Sequence, residues 1–231
     1  MSHTPTTAQQ GETSPSFARV TPGLYPVIVT VFVAMLLISN IGAVKLIEFG
    51  PIITDGGAFL FPLVYILGDV ISEVYGFKAA RKAIFLAFTM SALAAFTFWL
   101  VQITPPAAGW ENQEAFESVL GFVPRIVLAS IAGFLVGQLL NSYVLVAIKR
   151  RTHEKSLWLR LLGSTVIGEL ADTVIFCTIA FYGVITGGDF LTYVIIGFAY
   201  KTIVEIVLMP VTYRVIAAVK RHEPSYAPAT A

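Results

Sequence analysis

Six apolar stretches, each near the length a helix needs to cross a bilayer, recur along this chain and set its class. They lie near residues 24–45, 59–75, 80–101, 122–148, 161–186 and 190–218. Backbone polar groups inside lipid must be satisfied within their own segment, so stretches of this kind are read as helices. The expectation is an all-α, polytopic membrane protein with six transmembrane helices. Composition agrees: hydrophobic residues make up 56% of the chain and charged ones 13%, with a mean hydropathy of +0.79. Soluble domains run nearer to about 45–50% apolar.

Residues 1–22 are rich in Ser, Thr, Pro and Gln and lack apolar periodicity, so they are expected to form a disordered cytoplasmic tail. Residues 23–220 form the six-helix transmembrane domain, and 221–231 a second cytoplasmic tail. No secretory signal is expected, because only Arg19 precedes an apolar run that continues towards spanning length.

Orientation follows from Lys and Arg, which short cytoplasmic loops retain. Lys78, Arg81 and Lys82 follow the second stretch; Lys149, Arg150, Arg151, Lys155 and Arg160 follow the fourth; Lys220 and Arg221 follow the sixth. The loop from Gln102 to Val119 carries Glu111, Glu114 and Glu117 and no basic residue. Both termini are therefore expected on the cytoplasmic side.

Polar residues inside the stretches carry the chemistry. They are Ser39, Asn40 and Lys45 in the first, Asp69 and Glu73 in the second, Gln138 and Asn141 in the fourth, Glu169 and Asp172 in the fifth, and Lys201 and Glu205 in the sixth. Asp69 and Glu73 stand four apart, so on a helix they share one face. A charge at the bilayer centre costs about 3 kcal/mol on the insertion scale. The buried acids and the lysine must therefore converge, pair or titrate to neutral forms. Lys201 and Glu205 could pair within one helix. The acids outnumber the deep lysine, which points to a transport pathway or proton relay.

LGDVISE from Leu67 and IGELADT from Ile167 each place Gly before an acid and a further carboxylate soon after. By the charge rule their helices run in opposite directions, as an inverted repeat of three plus three helices requires, with a site between the repeats. Ala129, Gly133 and Gly137 form a ridge of small residues at four-residue spacing. It serves either a homodimer or packing within one chain. Pro210 frees the carbonyl of Ile206 and is expected to kink its helix just beyond Glu205.

Several chemistries lack their signatures. His3, His153 and His222 fall in tails or a loop, and Cys177 is the single cysteine, so neither a metal centre nor an internal disulfide is expected. No GxSxG elbow or phosphate-binding GxxxxGK[ST] loop occurs, and a net charge of +1 says nothing for nucleic acid. No cofactor is expected.

The run FPLVYILGDVISEVYGFKAAR from Phe61 to Arg81, with SNIGAVK from Ser39, resembles the queuosine precursor transporter family. Further matches are Pro124 with Arg125, Gln138 with Asn141, LWLR at Leu157–Arg160 and GELADT at Gly168–Thr173. The resemblance covers nearly all of Leu24 to Arg214. It implies a bacterial inner-membrane transporter, not an enzyme, that takes up 7-cyano-7-deazaguanine or 7-aminomethyl-7-deazaguanine for transfer RNA queuosine.

The residue inventory is compatible with such a base. One carboxylate can accept a guanine-like N–H and amine together, while the ring carbonyl needs a donor. The expected substrate-binding set is Asn40, Asp69, Glu73, Gln138, Asn141, Glu169 and Lys201. Glu73 or Glu169 would read the base edge, and Asp172 or Glu205 would change protonation during alternating access. Two other classes stay open: a substrate-capturing component that needs a separate energising complex, and an intramembrane enzyme using buried carboxylates.

Overall fold

The helix that carries Asp69 and Glu73 lies at the centre of a helical bundle. The computed structural model describes residues 16–20, 23–42, 45–49, 52–120, 124–152, 156–181 and 188–226. Its elements run α1 (Tyr25–Gly42), β1 (Leu46–Phe49), β2 (Ile52–Asp55), a 3-10 turn (Gly56–Phe59), α2 (Phe61–Tyr75) and α3 (Phe77–Ile103). α4 (Gln113–Leu120), α5 (Pro124–Arg151), α6 (Leu157–Phe181) and α7 (Gly188–His222) follow.

Among the described residues, five helices are long and apolar enough to cross a membrane: α1, α3, and the Ile131–Arg151, Leu157–Ile179 and Val194–His222 parts of α5, α6 and α7. The expected sixth, near 59–75, is α2 with only 15 residues. At 1.5 Å per residue that is about 22 Å, short of a hydrocarbon core of about 30 Å. The reason lies just upstream. β-branched Ile52, Ile53 and Thr54 pair as a strand with Leu46–Phe49, and Gly56 and Gly57 follow before helix can resume. α2 tolerates its shortness because protein surrounds it: eleven of its fifteen residues are buried. Lys45, assigned from sequence to the first span, lies beyond the end of α1, exposed, with its N–H bonded to the Gly42 carbonyl.

α2 and α3 join through one residue, Gly76, whose φ of +81° a side chain would strain, and against which the Phe17 ring packs. Ala79, Ala83, Ala87 and Ser91 form a buried stripe of small residues on α3, so it can lie close to its neighbours. Phe85, Leu93, Phe96 and Trp99 project from its other faces, as do Ile195, Ile203 and Val207 from α7, and these suit lipid. α7 continues as helix through Pro210.

The small-residue ridge of α5 is used within the chain. A Cβ on Gly133 would meet Asp172 Oδ1 at 2.7 Å, and one on Gly137 would meet the Gly168 carbonyl at 2.8 Å. Gly168, Asp172 and Phe176 of α6 thus fit against Gly137, Gly133 and their neighbours at matching four-residue spacing. Ala129 is also fully buried. A homodimer through Ala129, Gly133 and Gly137 would have to displace α6.

Residues 16–20, placed by sequence in a disordered tail, pack onto the bundle. The Ala18 N–H donates to the Val74 carbonyl at 2.8 Å, and the Arg19 N–H to Ser225 Oγ at 2.9 Å. The rest of that expected tail, residues 1–15 and 21–22, lies outside the described residues.

Candidate functional site

Two polar clusters flank α2, one at each of its carboxylates. Glu73, in the last turn, is fully buried and fully engaged. Its Oε2 accepts from Arg160 Nε at 2.9 Å; its Oε1 accepts from Arg160 Nη2 and from Lys220 Nζ, each at 2.7 Å. Lys149, also 0% exposed, lies 3.5 Å from Oε1 and donates to the Glu73 carbonyl at 2.6 Å and the Ser16 carbonyl at 3.0 Å. Lys149 and Lys220 end α5 and α7, where helix dipoles favour cations, and Lys149 satisfies a carbonyl in the last turn of α2. The ammonium of Lys149 also sits 4.5 Å from the Phe17 ring centre. Because Glu73 near the end of α2 meets Arg160 near the start of α6, these helices run in opposite directions, as the charge distribution requires.

This arrangement leaves Glu73, expected to read a base edge, with no free oxygen. Around it the basic ends of α5, α6 and α7 gather, covered by residues 16–20 and 223–226. Glu223 accepts from Tyr75 Oη at 2.6 Å, from the Leu24 N–H at 2.9 Å and from Ser225 Oγ at 2.7 Å.

One turn earlier the surroundings change. Asn141 Nδ2 donates to Asp69 Oδ1 at 2.6 Å, but Asp69 Oδ2 and Asn141 Oδ1 have no hydrogen-bond partner. Gln138, 0% exposed, has neither amide atom paired and lies against Gly68, where a Cβ would not fit. Gly168 packs on the same turn of α5, 2.7 Å from Asn141 Cβ were it to carry a Cβ of its own. The two repeated Gly–acid steps thus both pack on the Gln138–Asn141 turn. This brings Asp69, Gln138, Asn141 and Glu169 together.

Lys201 of α7 turns to α6 instead of pairing with Glu205. It bonds to Asp172 and lies 3.6 Å from Glu169 Oε2, with its ammonium 4.9 Å from the Phe61 ring centre. Tyr65 Oη faces Glu169 without closing a hydrogen bond. Glu205, 6% exposed, makes no hydrogen bond or ion pair among the described residues. It lines a narrow cleft with Asp69, Leu161, Thr165, Met209 and Thr212. Nine buried side-chain polar atoms lack partners among the described residues, and all belong to α2, α5, α6 and α7. Native proteins keep few such groups, and each calls for an explanation.

Asn40 stands apart, donating to Ser91 Oγ at 3.5 Å. Both line a cavity of about 20 Å³ with Leu36, Phe61, Phe88, Ile131 and Phe134, room for about one water.

Sequence reading missed Tyr65, Lys149, Arg160 and Lys220 as site neighbours. Tyr65 had a signal, since it precedes Asp69 by four residues and so shares the Asp69–Glu73 stripe. The three cations were counted as loop or tail charge.

The family described as "Putative vitamin uptake transporter" matches residues 55–215. A Bacillus subtilis (strain 168) protein named "Probable queuosine precursor transporter" is 33% identical over 176 residues, covering 76% of this chain and 77% of the relative. This chain belongs to the queuosine precursor transporter family. Two further relatives of that family are similar to it. The "Queuosine precursor transporter" of Escherichia coli (strain K12) is 25% identical over 71% of this chain and 72% of its own length. A Haemophilus influenzae protein, "Probable queuosine precursor transporter", is 30% identical over 54% of this chain and 51% of its own. No solved structure matches significantly. Queuosine precursor transporters are transporters and not enzymes, so the intramembrane-enzyme reading falls away.

Proposed function

We propose that this chain imports a 7-deazaguanine precursor of queuosine across the bacterial inner membrane by alternating access, both termini cytoplasmic. The base is held by its edge among Asp69, Gln138, Asn141 and Glu169. The observation that carries this reading is the set of unpaired buried polar atoms on those residues. Each such atom costs about 1–3 kcal/mol when nothing satisfies it. A polar solute arriving between the helices would satisfy several at once.

The donor and acceptor types suit a guanine-like edge. The unpaired Oδ2 of Asp69, or Glu169 once it parts from Lys201, accepts from the ring N–H and exocyclic amine, and Gln138 Nε2 donates to the ring carbonyl. The names of the relatives support the substrate class. The cleft beside Asp69 has essentially no open volume, so the helices around it must part to admit a bicyclic base, as rocking of one helix group against another would allow. The basic end faces the cytoplasm by the positive-inside rule. Asp172, held by Lys201 beside Glu169, serves as the proton relay.

The test is uptake of radiolabelled 7-cyano-7-deazaguanine into vesicles holding only this purified protein, with and without an inward proton gradient. Accumulation that needs the gradient is expected, and Asp172→Asn should keep binding while stopping accumulation. Equilibration without accumulation would make the protein a facilitator. Binding without entry would call for an energising partner, and absence of binding would refute the substrate.

A further inference from the structure

Charge does not balance around the candidate site. Asp69, Glu169, Asp172 and Glu205 converge there with Lys201 as the one cation among them, and Lys201 is engaged by α6 through Asp172 and Glu169. Glu205 sits one turn further along α7 and receives nothing. It is 6% exposed, has no partner among the described residues, and lines a cleft with Asp69, whose Oδ2 is unpaired. The other walls are the apolar Leu161 and Met209 and the hydroxyl-bearing Thr165 and Thr212. Thr212 Oγ1 donates to the Leu208 carbonyl at 3.4 Å, which leaves its oxygen as an acceptor. No lysine, arginine or histidine lines it among the described residues. The charged groups nearest Glu205 from α2 and α6 are Asp69 and Glu169, both acids.

Such a cleft is built of acceptors and lacks a resident cation. A metal ion is a poor candidate, since no three acidic, histidine or cysteine side chains among the described residues are placed so that they could hold one together. A primary ammonium suits it better, with three donors for two carboxylates and a hydroxyl. Asp69 lines both this cleft and the Gln138–Asn141 turn. A solute held there by its edge can therefore extend a substituent towards Glu205.

We infer that Glu205 is a specificity-determining residue that selects a deazapurine bearing a protonated aminomethyl arm over one bearing a nitrile. The inference rests on the binding reading above. The two bases share their ring edge and differ in the arm: the ammonium donates and is positive, whereas the nitrile is neutral and only accepts. A buried acid that meets an ammonium ionises and accepts from it as an opposite charge, whereas a nitrile can only accept a weaker, uncharged hydrogen bond from its neutral form.

Binding of both bases to the purified protein tests this, in wild type, Glu205→Gln and Glu205→Asp. Wild type should prefer the aminomethyl base. Glu205→Gln should weaken that base about 10- to 100-fold while changing nitrile binding less than about 3-fold, and nitrile binding by the same preparation reports that the variant is folded. Glu205→Asp should keep a preference for the charged arm, which covers the case in which Glu205→Gln does not fold. A wild type that favours the nitrile, equal losses for both bases in Glu205→Gln, or no loss for either would overturn the inference. Wild type that binds neither base would instead overturn the substrate reading beneath it.

Discussion

Asp69 and Glu73 are one turn apart on the same face of α2, and their surroundings are opposite. Glu73 is enclosed by Arg160, Lys220 and Lys149 with both oxygens bonded, while Asp69 keeps one oxygen free among side chains that are themselves unpaired. A buried charge with a complete set of partners holds helices together, and removing one partner is costly because the other is left uncompensated. A buried polar group without partners costs the fold stability as it stands. The contrast separates the residues that close the basic end of the bundle from those that can receive a solute.

The largest effect should come from Glu73→Gln. It strands Arg160 and Lys149, 2% and 0% exposed, without their anion and should cost about 3–5 kcal/mol, read as a fall in the thermal midpoint of detergent-solubilised protein. Unchanged stability with lost substrate binding would return Glu73 to the binding site and erase the contrast. Next, Gly137→Leu should force α5 from α6 and destabilise by about 1–3 kcal/mol or more, because a side chain there meets Asp172 and the Gly168 carbonyl. A variant as stable as wild type would show that these helices are looser than their contacts imply.

Gln138→Leu probes the other side of the comparison. It removes two unpaired polar atoms, each costing about 1–3 kcal/mol, so stability should hold or rise, while base binding should weaken about 10-fold or more. A strongly destabilised Gln138→Leu would mean that its amide holds the fold instead.

The smallest effect concerns Glu223, just past α7. Burial pushes its carboxyl up, but hydrogen bonds from Tyr75, Ser225 and the Leu24 amide outweigh this and hold it below the ordinary carboxylate range. A lowered folded-state value means that Glu223 contributes stability above the ordinary carboxylate value and loses it as pH falls through its own. Glu223→Gln should therefore cost about 1 kcal/mol or less near neutral pH and flatten the acid side of the stability profile. An unaltered acid limb would show that the clasp of the two chain ends makes no measurable contribution.

Much was determined by the sequence alone. Apolar length made the chain a multi-pass helical membrane protein, because lipid leaves the backbone no other way to satisfy itself. The cost of charge in hydrocarbon required the acids and Lys201 to converge. The charge pattern required the helices of the two Gly–acid steps to run in opposite directions. Only tertiary structure decided which acid is paired and which is not. The donors that close on Glu73 lie 76, 87 and 147 residues away in sequence, on three helices whose ends meet only when the bundle is packed. The same holds for Lys201. Its spacing to Glu205 allowed a pair within one helix, but α6 offers two carboxylates across the contact and takes the ammonium. Local periodicity sets which face a side chain occupies; the partner on that face comes from another part of the chain.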